Sequence, residues 1–146
     1  MKKLILAIVL IGSTLVNAQD RYSSGMEKAF ELWQNQKTTE ASNLFERIAT
    51  AEPDKWLPYY YVSQINTVIS FGEKDEEKLS KQLEKAKEFL DVAKAISPDN
   101  PEILIQEALI NTAWIAFDGV TYGMTLSPKN VQLYQKALEI APDNPR

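Results

Sequence analysis

The chain contains no cysteine and no histidine. Without cysteine there are no disulfides, no thiol nucleophile and no lipid-modified N-terminal cysteine. Without histidine the commonest general base and the commonest metal ligand are missing, and most zinc sites go with them. Glycine is scarce, with five in 146 residues, and no G-x-G-x-x-G or G-x-x-x-x-G-K-[ST] run occurs, so no loop is built to cradle a phosphate. Basic residues number 16 against 20 acidic ones. No basic cluster follows Lys2-Lys3, which excludes the positive stripe that a nucleic acid requires. No stretch alternates apolar and polar residues as a half-buried strand does. These absences point away from an enzyme, and no cofactor or metal is expected.

The N-terminus is read as a signal peptide over residues 1–18. Lys2 and Lys3 precede the apolar run Leu4 to Ile11, and Val16-Asn17-Ala18 places small residues before a cleavage point at Gln19. The run is too short, and too broken by Ser13, Thr14 and Asn17, for a membrane anchor. The expected mature chain, residues 19–146, loses two lysines and no acid, leaving 14 basic and 20 acidic residues, net −6. Its expected location is a bacterial periplasm or the medium, with no transmembrane span after cleavage. A chain of this length can bury one core by packing alone.

What the sequence does contain is a period. Pro53-Asp54, Pro98-Asp99 and Pro142-Asp143 are 45 and 44 residues apart, and the last two extend to Pro-Asp-Asn-Pro. Ile65-Asn66-Thr67 returns 45 residues later as Ile110-Asn111-Thr112. A fixed spacing of this size marks a repeat architecture.

Apolar residues three and four apart predict helices throughout. Tyr22, Met26, Ala29, Phe30 and Trp33 form the first stripe, and Ala41, Leu44, Phe45 and Ile48 the second. A third helix runs from about Pro58 to Phe71. Asp75 caps a fourth, striped by Leu79, Leu83, Ala86, Leu90 and Ala93. Asn100-Pro101-Glu102 opens a fifth, ending near Asp118-Gly119. Ser127-Pro128 is read as the start of a sixth, ending at Ala141. Residues 119–127, holding Val120, Tyr122, Met124 and Leu126, are expected to prolong the fifth helix or fold back over the array. Six helices make three pairs, at about 22–53, 54–98 and 99–142.

The order Ala41, Phe45, Ile48, Pro53 resembles the second half of a tetratricopeptide repeat, in which alanine, an aromatic, a small residue and a closing proline stand at these spacings. Ala86, Leu90, Ala93 and then Asn130, Tyr134, Ala137 align with it, with asparagine in place of alanine at the third copy. The resemblance implies an all-α, right-handed helical-hairpin solenoid of three repeats. This chain departs in that pairs two and three each carry about ten residues more than the family's 34, placed around 71–77 and 119–127. A HEAT-type array, with a period near 45, is the alternative, against which the alanine-aromatic-proline order speaks.

The resemblance also implies a role: a non-catalytic protein- or peptide-binding scaffold whose first helices line a groove. The candidate ligand-binding residues are Trp33, Tyr60, Gln64, Asn66, Thr67, Asn111 and Thr112. The competing expectation for Asn66 and Asn111 is a hydrogen bond that holds neighbouring helices in register. The aromatic group Trp56, Tyr59, Tyr60, Tyr61 and Phe71 suggests a second role, a periplasmic binding protein for a carbohydrate or other small ligand. Glu73, Asp75, Glu76 and Glu77 read as a solvated helix start. The last helix is apolar on two flanks, Val131, Tyr134, Leu138 and Ala141 on one, Leu133, Ala137 and Ile140 on the other. It is expected to be covered by another element, by further chain or by self-association.

Overall fold

The computed structural model describes residues 21–144, and the signal segment read over residues 1–18 lies outside them. The described residues are all-helical: α1 (residues 21–34), α2 (Thr38–Ala51), α3 (Trp56–Ser70), α4 (Glu76–Ile96), α5 (Pro101–Phe117) and α6 (Gly119–Ile140). None is long and apolar enough to cross a membrane. The chain divides into two compact units, the first ending at Glu52 and the second beginning at Pro53.

In the first unit α1 and α2 pack through their apolar stripes. Phe45 is fully buried, and its ring meets Phe30 edge-on at 5.3 Å. Ala41 is fully buried as well. At the end of α1, Lys37 N donates to Leu32 O and Gln36 N to Trp33 O, both at 2.9 Å. This is the Schellman pattern, which satisfies carbonyls of the last turn and needs a left-handed residue at its pivot. That residue is Gln36, at φ 62°, where a side chain is strained and glycine is not. Gln36→Gly is therefore expected to stabilise the first unit by about 0.5–1 kcal/mol. A thermal melt followed by circular dichroism measures it, and a lower melting temperature would refute the left-handed turn.

In the second unit α3 packs on α4 and α5 on α6, while α5 also packs on both α3 and α4. The stripe Leu79, Leu83, Ala86, Leu90 and Ala93 is buried along its whole length, as its spacing predicts, and meets Tyr60, Ile103, Ile110 and Ala113 in one core. The caps also follow the sequence. Asp75 accepts from Lys78 N, and Asn100 accepts from Glu102 N ahead of Pro101. Four of the five aromatic residues join this core: Tyr60 is buried, Trp56, Tyr59 and Tyr61 pack against it, with Trp56 and Tyr61 edge-on to Tyr60 at 5.7 and 5.2 Å, while Phe71 is exposed.

Two sequence expectations are corrected. The sixth helix does not start at Ser127-Pro128. Asp118 caps it nine residues earlier, accepting from Val120 N and Thr121 N, so Pro128 lies inside the helix. Pro128 cannot donate to the Met124 carbonyl, but both residues are exposed, and water can take that acceptor. Residues 119–127 thus prolong the second helix of the pair, not the first, and Val120 and Met124 do not fold back onto it: they are 91% and 90% exposed. Of the two stretches read as connections between paired helices, residues 71–75 do lie between α3 and α4, whereas residues 119–127 lie within α6. The second helices of these pairs are longer than that of the first, at 21 residues in α4 and 22 in α6 against 14 in α2.

Candidate functional site

Two polar networks join the helices of the second unit and decide which polar residues remain available. Between α3 and α5, the Gln106 amide donates to Thr67 Oγ1 at 3.0 Å and to Ser63 Oγ at 3.3 Å. All three are fully buried. Thr67 in turn donates to Ser63 O, and Ser70 to Thr67 O. A buried amide left without these partners would cost about 1–3 kcal/mol, so the network holds α5 in one register on α3. Between α5 and α6, Asn111 Nδ2 donates to Asn130 Oδ1 at 2.9 Å, and Asn130 Nδ2 donates to Thr112 Oγ1 at 3.1 Å. Asn130 is buried, and its amide forms a hydrogen-bonded clasp between α5 and α6.

These networks place the candidate residues. Thr67 is fully buried at the α3–α5 contact, and Tyr60 is in the core. Asn66 is buried and donates to Val62 O of its own helix at 2.7 Å. Gln64 is half-buried on α3, and Trp33 is half-buried on α1 in the first unit. Asn111 and Thr112 stand together, half-buried, at the clasp between α5 and α6. Thr67 and Thr112 keep the same local bond, each hydroxyl donating to the carbonyl four residues back. The paired asparagine amides differ in acceptor: Asn66 Nδ2 donates to a carbonyl of α3, and Asn111 Nδ2 donates to Asn130 of α6.

Asn111 lies on the floor of a cleft. Its walls are the second helices, α4 and α6, and its floor is α5. Two adjoining hollows of about 270 and 510 Å³ share Lys87 and Asn111. One end is apolar, lined by Leu83, Ile110, Trp114 and Leu126. The other carries Lys87, Lys129 and Lys136 beside Glu107. Lys87 is paired with Asp91, Lys136 with Asp99 and Glu107 with Lys94, at 2.8–2.9 Å. Lys129 pairs with no carboxylate among the described residues. At the apolar end, the Tyr122 ring lies 4.9 Å from Trp114. Desolvation, then the charge and hydrogen bond of Glu76 at the start of α4, push the Tyr122 hydroxyl above its ordinary pKa.

Comparison with protein-family models, with curated proteins and with solved structures finds no match to this chain. Function must therefore be argued from the geometry. Among the described residues no group of three or more acids could hold a metal ion. The cleft offers ring faces, aliphatic walls, an amide and ammonium groups. Groups of these kinds are the ones that binding sites use to hold and orient ligands.

Sequence reasoning missed Lys87 and Lys129 because it sought a groove along the first helices, and Tyr122 and Leu126 because it treated residues 119–127 as a connection. The signal that could have found the latter two is Asp118 itself, an aspartate before Gly119 with a helix-compatible spacing after it.

Proposed function

We propose that this chain is a non-catalytic, exported, tetratricopeptide-like module that binds a protein or peptide segment, and that the α4–α6 cleft is its seat. The observation that carries the proposal is the cleft's polarity along its length, apolar at Trp114 and Leu126 and lysine-bearing at Lys87, Lys129 and Lys136. An extended segment with an apolar side chain at one end and a carboxylate at the other matches it. The 45-residue echo, the buried Ala41 and Ala86, and the packing of α5 on both preceding helices support stacked hairpins of the tetratricopeptide kind. Export rests on the sequence of residues 1–18. The alternative, a carbohydrate or other small ligand, is favoured by one feature, the Trp114–Tyr122 ring pair.

The chain has three tryptophans, so indole N–H signals in a nitrogen-15 spectrum report on the cleft directly. Peptides selected from a random display library against the protein should shift the Trp114 signal and leave Trp33 and Trp56 in place. Lys129→Glu should weaken the binding of acidic peptides by about tenfold. Selected peptides that leave the Trp114 signal unmoved would refute the cleft. A shift with oligosaccharides and none with peptides would favour the alternative.

A further inference from the structure

Helix α6 exposes a line of apolar side chains that the cleft does not use. Val120, Met124, Val131, Tyr134 and Leu138 are all exposed. With Ser127 they follow one another at steps of four, three, four, three and four. That alternation is the seam of a helix meant to pack against another helix. The positions beside the seam are Thr121, Pro128 and Gln135 on one flank and Gly123, Asn130 and Ala137 on the other, none of them charged. Lys129 and Lys136 lie on a different face, towards the cleft. At its C-terminal end the seam continues into a hollow of about 240 Å³, where Tyr134 and Leu138 meet Ile105 of α5.

We propose that the seam is covered by a second copy of this chain, α6 against α6, antiparallel about a two-fold axis. The spacing calls for a helix. The absence of charge on the seam and both flanks leaves nothing to attract a charged partner and nothing to repel an identical one. In an antiparallel pair Val120 faces Leu138 of the second copy, Met124 faces Tyr134, and Ser127 faces Val131, so apolar groups meet along most of the line. A parallel pair would instead bring like helix ends and the two Asp118 carboxylates together. The two-fold arrangement uses the same patch on both copies, as closed dimers do.

Charge gives the proposal a specific signature. The chain carries net charge −4 at pH 7, so two copies repel at long range while the seam itself is neutral. Added salt screens the repulsion, and the dimer should tighten with sodium chloride, opposite to an interface held by ion pairs.

Sedimentation equilibrium of the purified protein across micromolar concentrations should show a reversible monomer–dimer equilibrium whose dissociation constant falls as salt is raised. Val131→Glu, at an exposed position, should keep the circular dichroism spectrum and weaken the dimer more than about tenfold, by burying a charge in the seam. A monomer at every concentration, or a dimer that Val131→Glu does not weaken, overturns the proposal. Because the protein lacks cysteine, orientation can be read separately. Ser127→Cys and Val131→Cys copies, mixed and oxidised, should form the mixed disulfide. Self-cross-linking of Ser127→Cys in preference to the mixed product overturns the antiparallel arrangement.

Discussion

Leu83→Ala is expected to destabilise the second unit by about 2–5 kcal/mol. Leu83 is 1% exposed and lies in the stripe of α4 that meets Ile103 and Ile110 of α5. Removing three carbons there loses their transfer free energy and leaves a cavity that helices pinned by the Gln106 network cannot close. For a unit of this size each kcal/mol is worth about 4–8 °C in melting temperature, so a drop of roughly 10 °C or more is expected. Urea denaturation followed by tryptophan fluorescence measures the loss, since Trp56 and Trp114 both pack against this core. A change under about 1 kcal/mol would mean that α4 buries a different face.

Ala86→Leu tests the same interface from the other side. Ala86 is fully buried, one turn from Leu83 and Leu90, and its small side chain sets how closely α4 approaches its neighbours. Three added carbons must push helices apart or force strained rotamers, at about 1–3 kcal/mol or more. Lys87→Leu, the same new side chain one position on, is the control. Lys87 is exposed, and its replacement should stay within about 0.5 kcal/mol. Equal melting curves for the two variants would place Ala86 at the surface and shift the register of α4 by one position. The pair therefore separates a loss of fit from a general effect of adding leucine to this helix.

Much of the fold was legible because helical burial repeats every three or four residues whatever the partner is. The stripe Leu79, Leu83, Ala86, Leu90 and Ala93 is apolar in sequence and buried in the structure for this single reason. The caps Asp75 and Asn100 were equally legible, since a short oxygen-bearing side chain satisfies the first free N–H groups from its own neighbourhood. The start of α6 was not. Ser-Pro resembles a helix opening as strongly as Asp-Gly does, and proline's exclusion from helix interiors favoured the wrong one.

The candidate residues show a different limit. Tyr60, Thr67 and Asn111 are similar in sequence terms, polar or amphipathic residues on first helices. Tyr60 went to the core, Thr67 to a buried seam against Gln106, and Asn111 to a cleft floor. Nothing local distinguishes them. The difference comes from Gln106, 39 residues beyond Thr67, and from Asn130, 19 residues beyond Asn111.

By itself the sequence determined that this chain is helical, where most helices begin and end, and which stripe of each is apolar. Those properties depend on neighbours within one or two turns. The tertiary structure alone decided which polar side chains were consumed in holding helices together, that α4 and α6 wall a cleft over α5, and that the seam of α6 was left uncovered. These depend on which helices meet, and a helix's own residues carry its apolar face without naming what will cover it.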